Sequence, residues 1–415
     1  MKLAILTQYY PPEIGAPQAR LSALAEGVAR RGHAVTILAA KPNYPGGRVL
    51  PGYPGLVTQE ANGGVRVLRT LIYPTQRADL LHRLTCYFSF VASSAVAGTL
   101  CLESPDYLLV ESPPLFLGLT GLWLAWAKSA RLIFNVSDLW PESAVRLGVV
   151  DAGSAGHRWS ESLEALCYRR AWLVTGQTRA IVADIRHRFP GVRTHHLPNG
   201  VDTAKFRPDA GGPPAAGRCT VLYAGLLGLA QGLDQLLDAA AALRDEPGLE
   251  FVLAGEGPCR AALVERASDA RLERVRFLDA LPHSAVPALL SSADIVVVPL
   301  HRSFGDAVPS KLFEALASGR PVVVIASGEA ARIVQESDAG VVVPPGDLAA
   351  LVAALRRLAH DPDLRARLGA NGRAAAVGQF DRSRIVDAFT GLLEAGLRPA
   401  GAAPLSERAI RGDIQ

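Results

Sequence analysis

The stretch SFGDAVPSKLFEALASGRPVVV, Ser303 to Val324, puts an ammonium group at the opening of a helix and two carboxylates, Asp306 and Glu314, eight positions apart. Two carboxylates so placed could serve as a general acid and base, but the details point elsewhere. Pro309 suits the first helical position, which makes Val308 the N-cap, and Val308 offers no side-chain acceptor to the first amides. Lys311 then falls in the first turn, where the helix dipole disfavours a cation by about a few tenths of a kcal/mol. Both features make sense if an anion such as a diphosphate docks on the amides around Ser310 and on the Lys311 ammonium. The plainer alternative is that water caps the helix and Lys311 extends into solvent. Glu314 lies about one and a half turns in, among Leu312, Phe313, Leu316 and Ala317. Its carboxylate could accept hydrogen bonds from both hydroxyls of a vicinal diol, as a ribose presents; otherwise it is an ordinary exposed glutamate.

Residues of this kind need a scaffold, and strand and helix patterns alternate almost throughout. Apolar strand-like runs include KLAILT, AVTILAA, VRVLRTL, YLLVES and RLIFNV, then CTVLYAG, EFVLAG, VRFL, DIVVVPL, RPVVVIA and GVVVP. Between them lie segments of helical period such as ARLSALAEGVARRG, with Gly32 placed to end its helix. Near-continuous apolar strands imply sheets covered on both faces, hence parallel, doubly wound α/β units. The chain of 415 residues has room for two. The Pro- and Gly-rich segment Leu197–Arg218 marks the join. The expected organisation is two Rossmann-like domains, 1–200 and 201–380, a C-terminal helix over 381–398 packing back on the first domain, and a mobile tail over 399–415.

Ligands of open α/β sheets bind beyond the carboxyl ends of the strands, so the loops after strands are the informative ones. LAGEGP carries Gly255, Glu256 and Gly257 between a strand and a helix. LYAGLLGLAQGLDQLLDAA holds Gly225 and Gly228 in a similar turn, and PPGDLAALVAAL opens a helix with Asp347. In the first half, QYYPPEIGAPQAR presents Gly15 after the first strand, and DLWPES places Asp138 after another. Each turn alone is a weak signal, and Asp138 could simply cap the next turn.

Composition narrows the classes. With 49% hydrophobic and 20% charged residues the chain has enough apolar content for sizeable cores, and its formal net charge of +4 is small for its length. No basic stripe interleaves with aromatics, so nucleic acid is not an expected partner. A mild positive balance suits anionic substrates or an anionic membrane surface. Five scattered cysteines without a C-x-x-C pair argue for reduced, mostly buried thiols in a cytoplasmic protein. No Asp/Glu/His cluster has metal-ligand spacing, so no bound metal is expected. Two apolar segments, Leu84–Leu102 and Leu115–Ala127, fit buried helices of an α/β domain. Monotopic attachment, aided by Arg77, His82 and Arg83, is the other reading.

Taken together, YYPPEIGAPQAR, DLWPES, LPNGVD, GLAQGL and VPSKLFEALASGRPVV resemble glycosyltransferase family 4, the retaining nucleotide-sugar transferases of the GT-B fold. The resemblance runs over nearly the whole chain and centres on the family's E-x7-E motif, here Asp306-x7-Glu314. It is narrower toward bacterial O-antigen N-acetyl-L-fucosamine transferases and colanic-acid type enzymes of surface polysaccharide synthesis. The resemblance implies that Glu314 holds the donor ribose and Asp306 faces the donor sugar. It further implies that Gly255, Glu256 and Gly257 lie near the base or diphosphate, with the Gly225–Gly228 turn beside them. Gly15 would let its loop approach the reacting centre, and Asp138 would face the incoming acceptor. The implied donor is a nucleoside-diphosphate sugar, as a UDP-linked amino sugar, with no separate cofactor. The implied acceptor is lipid-linked or an oligosaccharide, which suits peripheral attachment to the inner face of the cell membrane.

Two positions depart from the family pattern. Leu226 and Gln231 stand where many members carry an Arg and a Lys that neutralise the leaving diphosphate, and Asp306 shortens the first carboxylate of the motif. Lys311 and Arg302 are the expected replacements for the basic pair. Departure of the diphosphate from an oxocarbenium-like centre is the hard step, so charge stabilisation should dominate. A glycosidase-type carboxylate pair facing across the scissile bond is not implied. A nucleotide-sugar epimerase of the same fold and a catalytically silent partner subunit are the competing expectations.

Overall fold

The computed structural model describes residues 1–44, 46–77, 79–146, 148, 150–210, 217–300 and 307–397. Arg302, Asp306 and the tail from 399 lie outside the described residues. The chain divides into two compact units, Met1–Pro198 together with the chain from Ser383, and Asn199–Arg382.

The first unit is built on an eight-stranded sheet. Its strands are β1 (Lys2–Thr7), β2 (Ala34–Ala40), β3 (Val57–Asn62), β4 (Val65–Thr70), β5 (Tyr107–Ser112), β6 (Arg131–Val136), β7 (Leu173–Gly176) and β8 (Thr194–His196). They run in the order β3-β4-β2-β1-β5-β6-β7-β8. The central strands are apolar on both faces because helices cover both: every residue of β5 is buried, as are five of six in β1. The expectation of parallel sheets fails at one edge, where β3 pairs antiparallel with β4 from Val57↔Thr70 to Asn62↔Val65. VTQEAN is polar and largely exposed, so no apolar run announces it. The sequence reading also passes over β7 and β8, of four and three residues.

The helix Leu80–Cys101 begins at Asp79, whose carboxylate accepts from the His82 amide at 3.1 Å. Phe90, Ser94 and Ala97 bury one side of it against the sheet. The C-terminal helix Arg382–Leu397 completes this unit. It sinks Phe389 and Leu393 into the core, Tyr107 Oη donates to Leu393 O at 2.8 Å, and His33 Nε2 lies 2.8 Å from Glu394.

The second unit holds a six-stranded parallel sheet of β9 (Cys219–Ala224), β10 (Leu249–Ala254), β11 (Val275–Leu278), β12 (Ile295–Pro299), β13 (Val322–Ile325) and β14 (Gly340–Val343). Their order is β11-β10-β9-β12-β13-β14. The chain winds outward from β9 in one direction and from β12 in the other. A crevice therefore opens at the carboxyl ends of these two strands, the place where doubly wound sheets bind ligands.

Candidate functional site

The helix Ser310–Ala317 follows β12 and faces that crevice. Five of its eight residues, Leu312, Phe313, Ala315, Leu316 and Ala317, are at most 2% exposed, so packing fixes the helix on all sides but one. The remaining three, Ser310, Lys311 and Glu314, are half-buried and share the open face. The helix begins one residue later than its sequence suggests. Pro309, with φ −70° and ψ 142°, is the N-cap rather than the first helical residue, and no side chain caps the first turn.

A cavity of about 380 Å³ lies in front of this face. Ser310, Lys311 and Glu314 form one wall, and the turns Ala224–Leu226 after β9 and Ala254–Glu256 after β10 form another. The floor is apolar, made by Ala280, Leu281, Val286 and Leu289 with His283 at its edge. The site thus offers an apolar lining, a carboxylate and a cationic helix start within one unit.

Lys311 does not extend into solvent. Its Nζ donates to Tyr223 Oη at 2.8 Å and sits 4.4 Å from the centre of the Tyr223 ring. Tyr223 Oη in turn donates to Leu226 O at 2.5 Å, so Lys311 holds the turn after β9 through the tyrosine. Burial pushes the Lys311 ammonium down to about 8, with Glu314 as the charge that offsets it. Burial also raises Glu314, partly offset by the cations Arg382, Lys311 and Lys205. Glu314 is therefore not an ordinary surface glutamate. Arg382 is steered by bonds to Asn199 O (3.3 Å) and Gly200 O (3.1 Å), and Lys205 Nζ lies 2.8 Å from His283 Nδ1. Burial holds His283 below the usual imidazole range, with Lys205 and Arg382 adding to the effect.

The glycines divide into two groups. Gly225 and Gly255 line the cavity, and at both a side chain would collide. With φ 141°, a Cβ on Gly225 would lie 2.6 Å from Lys311 Nζ. With φ 144°, one on Gly255 would lie 1.9 Å from Gly225 O. Gly228 and Gly257 are not among the residues lining this cavity. Gly257 lets its backbone approach Leu227 O, where a Cβ would come within 2.4 Å. Gly228 is the extended residue before the short turn Leu229–Gln231. Both therefore shape loops that other residues present. Leu227 N to Glu256 O (2.8 Å) and Cys259 N to Leu227 O (2.9 Å) fasten the two turns together. Glu256 lines the cavity and pairs with Arg260 at 3.4 Å. Asp347 caps the helix Leu348–His360 by accepting from Ala350 N at 2.9 Å, which accounts for its place in the sequence.

Leu226 lines the cavity and is 59% exposed, whereas Gln231 is not among the lining residues and its buried Oε1 has no hydrogen-bond partner among the described residues. Among the described residues Lys311 reaches the Leu226 turn, through the Tyr223 hydroxyl. Tyr223, Lys205, His283 and Arg382 escaped the sequence reading. Tyr223 looks like one more strand residue in CTVLYAG, and the other three lie far from Glu314 in sequence.

Gly15 and Asp138 belong to the first unit. Gly15 precedes the helix Ala16–Arg30, in extended backbone, and a Cβ there would lie 2.5 Å from Gln18 Oε1. Asp138 follows β6 and is half-buried; burial raises its carboxyl, offset by Ser143, Arg146 and the Leu139 amide. Those neighbours include two side chains of the next helix, Glu142–Arg146. Beside it a buried network joins the ends of β5, β6 and β7. Arg20 Nη2 donates to Glu111 Oε1 (2.5 Å) and to Ser137 Oγ (2.9 Å), Asn135 Nδ2 donates to Glu111 Oε2 (2.5 Å), and Thr175 Oγ1 donates to Asn135 Oδ1 (2.6 Å).

Comparison with known proteins divides the chain in a similar way. Residues 15–200 match the glycosyl transferase 4-like domain and residues 212–375 the glycosyl transferases group 1 domain. The chain is 28% identical over 379 residues to the putative colanic acid biosynthesis glycosyl transferase WcaI of Escherichia coli K12, covering 86% of this chain and 92% of that protein. Among solved structures, sucrose-phosphate synthase from Thermosynechococcus elongatus superposes with a TM-score of 0.72 at 20% identity, covering 95% and 98% of the two chains. Anabaena Alr3699/HepE, in complex with UDP and glucose, superposes with a TM-score of 0.68 at 19% identity, covering 95% and 100%. These two likenesses establish the GT-B fold.

Proposed function

The chain belongs to glycosyltransferase family 4, the retaining enzymes of GT-B fold, and from that premise we propose that it transfers an N-acetylated amino sugar from UDP to a lipid-linked saccharide in bacterial surface-polysaccharide assembly. The observation that carries the donor reading is the single open face of the helix Ser310–Ala317, where Ser310, Lys311 and Glu314 line one cavity with the Gly225 and Gly255 turns. The apolar floor at Leu281, Val286 and Leu289 accepts a flat base. Glu314 accepts hydrogen bonds from the ribose hydroxyls. The diphosphate lies against the uncapped amides at Ser310–Lys311, where the helix dipole and the ammonium both favour negative charge.

In the reaction the bond between the anomeric carbon and the diphosphate oxygen breaks, and the acceptor oxygen bonds to that carbon on the same face. The acceptor proton passes to the departing phosphate oxygen. Negative charge grows on the diphosphate as the bond lengthens, and Lys311 and the amides meet it without reorganising. The surface-polysaccharide role is supported by the long alignment to WcaI, and the UDP preference by the HepE complex.

The test is a panel of UDP-, GDP- and dTDP-sugars, read by the shift in melting temperature and by product formation on a polyprenyl-diphosphate saccharide. Stabilisation by UDP and a product of retained configuration are expected. No stabilisation by any nucleotide, or a product of inverted configuration, would contradict the proposal.

A further inference from the structure

The helix Leu80–Cys101 has an unusual outer face. Its inner side packs on the sheet through Cys86, Phe90, Ser94 and Ala97. A helix that covers a sheet normally presents charge to water on its other side. Here the exposed positions Leu81, Thr85, Phe88, Ala92, Val96 and Leu100 recur every three or four residues along about 30 Å of helix and carry no charge, the exposed Arg83 of the first turn standing beside the row. Val96 is 61% exposed and Leu100 78%, and they belong to a continuous row rather than standing singly.

The stripe does not stop at this helix. Trp123 Nε1 donates to Thr99 Oγ1 at 3.0 Å, which sets the Trp123 ring beside the end that carries Leu100. Trp126, 74% exposed, lies 5.2 Å from Trp123 between ring centres. At the other end Phe88 stacks on Phe116 (4.9 Å), which stacks on the half-exposed Trp159 (5.6 Å). Cations mark both ends of the stripe. Arg77 and Arg83 lie at the start of the helix, and Lys128 donates to Thr99 O at 2.8 Å at its close. Residues 80–102 and 115–131 contain no Asp or Glu.

We infer that this face of the first unit lies on an anionic lipid bilayer, with Val96, Leu100, Trp123 and Trp126 inserted at the headgroup level and Arg77, Arg83 and Lys128 on the lipid phosphates. Tryptophan prefers that depth because its ring is apolar and its N–H polar. Arg77 and Arg83 are exposed at one rim and Lys128 is half-buried at the other. The segments 80–102 and 115–131 carry no carboxylate between the flanking Asp79 and Glu103, a local charge balance that complements an anionic surface. The helix is long and apolar enough to cross a membrane by composition. It lies on the surface instead, because its inner side is committed to the core of the unit. A second copy of the chain is the rival occupant, but two such faces would bring their cations together.

The test uses the full chain and sedimentable vesicles of phosphatidylcholine, alone or with about one-third phosphatidylglycerol. Binding to the anionic vesicles, weakened by salt, is expected. The double variant Leu100→Glu/Trp126→Glu should lower the apparent partition by about tenfold or more, with an unchanged melting temperature since both side chains are exposed. Arg83→Glu should reduce binding to anionic vesicles only. Failure of the wild-type chain to sediment with anionic vesicles overturns the inference, as does undiminished binding by the double variant. A dimer in analytical ultracentrifugation that the double variant dissociates assigns the face to a second copy and also overturns it.

Discussion

Replacing Lys311 by methionine should make the resting protein more stable and the enzyme worse. The ammonium is pulled from its ordinary 10.5 to about 8 by burial. At about 1.36 kcal/mol per pH unit, that is a penalty of about 3 kcal/mol carried by the folded protein at neutral pH. The sign follows from linkage. Between about pH 8 and 10.5 the unfolded chain holds the proton that the folded chain has lost, so stability climbs with pH across that window and the full penalty applies below it. The hydrogen bond to Tyr223 and the contact with its ring return about 1–2 kcal/mol. Methionine keeps the length and the packing but not the charge. A net gain of about 1–2 kcal/mol is expected, a rise of about 2–6 °C in melting temperature for a unit of this size. Affinity for UDP should fall about ten- to a hundredfold, the worth of one charge-assisted hydrogen bond. Thermal melts of both proteins at pH 7.5 and 10, with and without UDP, read all of this. The stability advantage of the variant over the wild type should shrink at pH 10. A variant that is less stable, yet shifted by UDP as much as the wild type, would refute the reasoning and leave Lys311 as a tether for Tyr223.

Tyr223→Phe cuts the link between Lys311 and Leu226 O while keeping the ring. Turnover should drop about three- to thirtyfold with little change in melting temperature, and the alkaline limb of the pH–rate profile should move. Gly255→Ala forces a Cβ to within 1.9 Å of Gly225 O at a φ of 144°, so urea unfolding should show a loss of about 3 kcal/mol or more together with loss of the UDP response. His195 in the first unit is held near 4 by burial, aided by His196 and Arg193. Stability should therefore be full above about pH 6.5 and fall by up to about 3 kcal/mol as pH drops toward 4, a slope that His195→Asn flattens in urea titrations.

The framework was legible because parallel strands buried on both faces are unbroken apolar runs. β1, β2, β5, β6 and the inner strands β9, β10, β12 and β13 of the second sheet stand out in the sequence for that reason, and the half-buried edge strands β11 and β14 are legible by their short apolar runs. β3, β7 and β8 do not, since a polar edge strand and strands of three or four residues leave no such pattern. At the site, the missing side-chain cap, the first-turn lysine and a glutamate among apolar neighbours were visible as local conflicts with helix rules. Their resolution needed the fold. The partner of Lys311 is 88 residues away, and the cations around Glu314 come from opposite ends of the second unit. Gly257 adds a constraint the sequence does not show: its backbone approaches Leu227 O so closely that a Cβ would come within 2.4 Å.

The central claim is that Glu314 grips the ribose of the donor, and calorimetric titration with UDP and with 2′,3′-dideoxy-UDP tests it most directly. The wild-type protein should bind UDP about ten- to a hundredfold more tightly than the dideoxy compound, because a carboxylate left without its diol is a buried acceptor without a partner. Glu314→Gln should bind UDP more weakly and lose most of that discrimination. An equal preference for UDP in both proteins, or no preference in the wild type, would contradict the assignment.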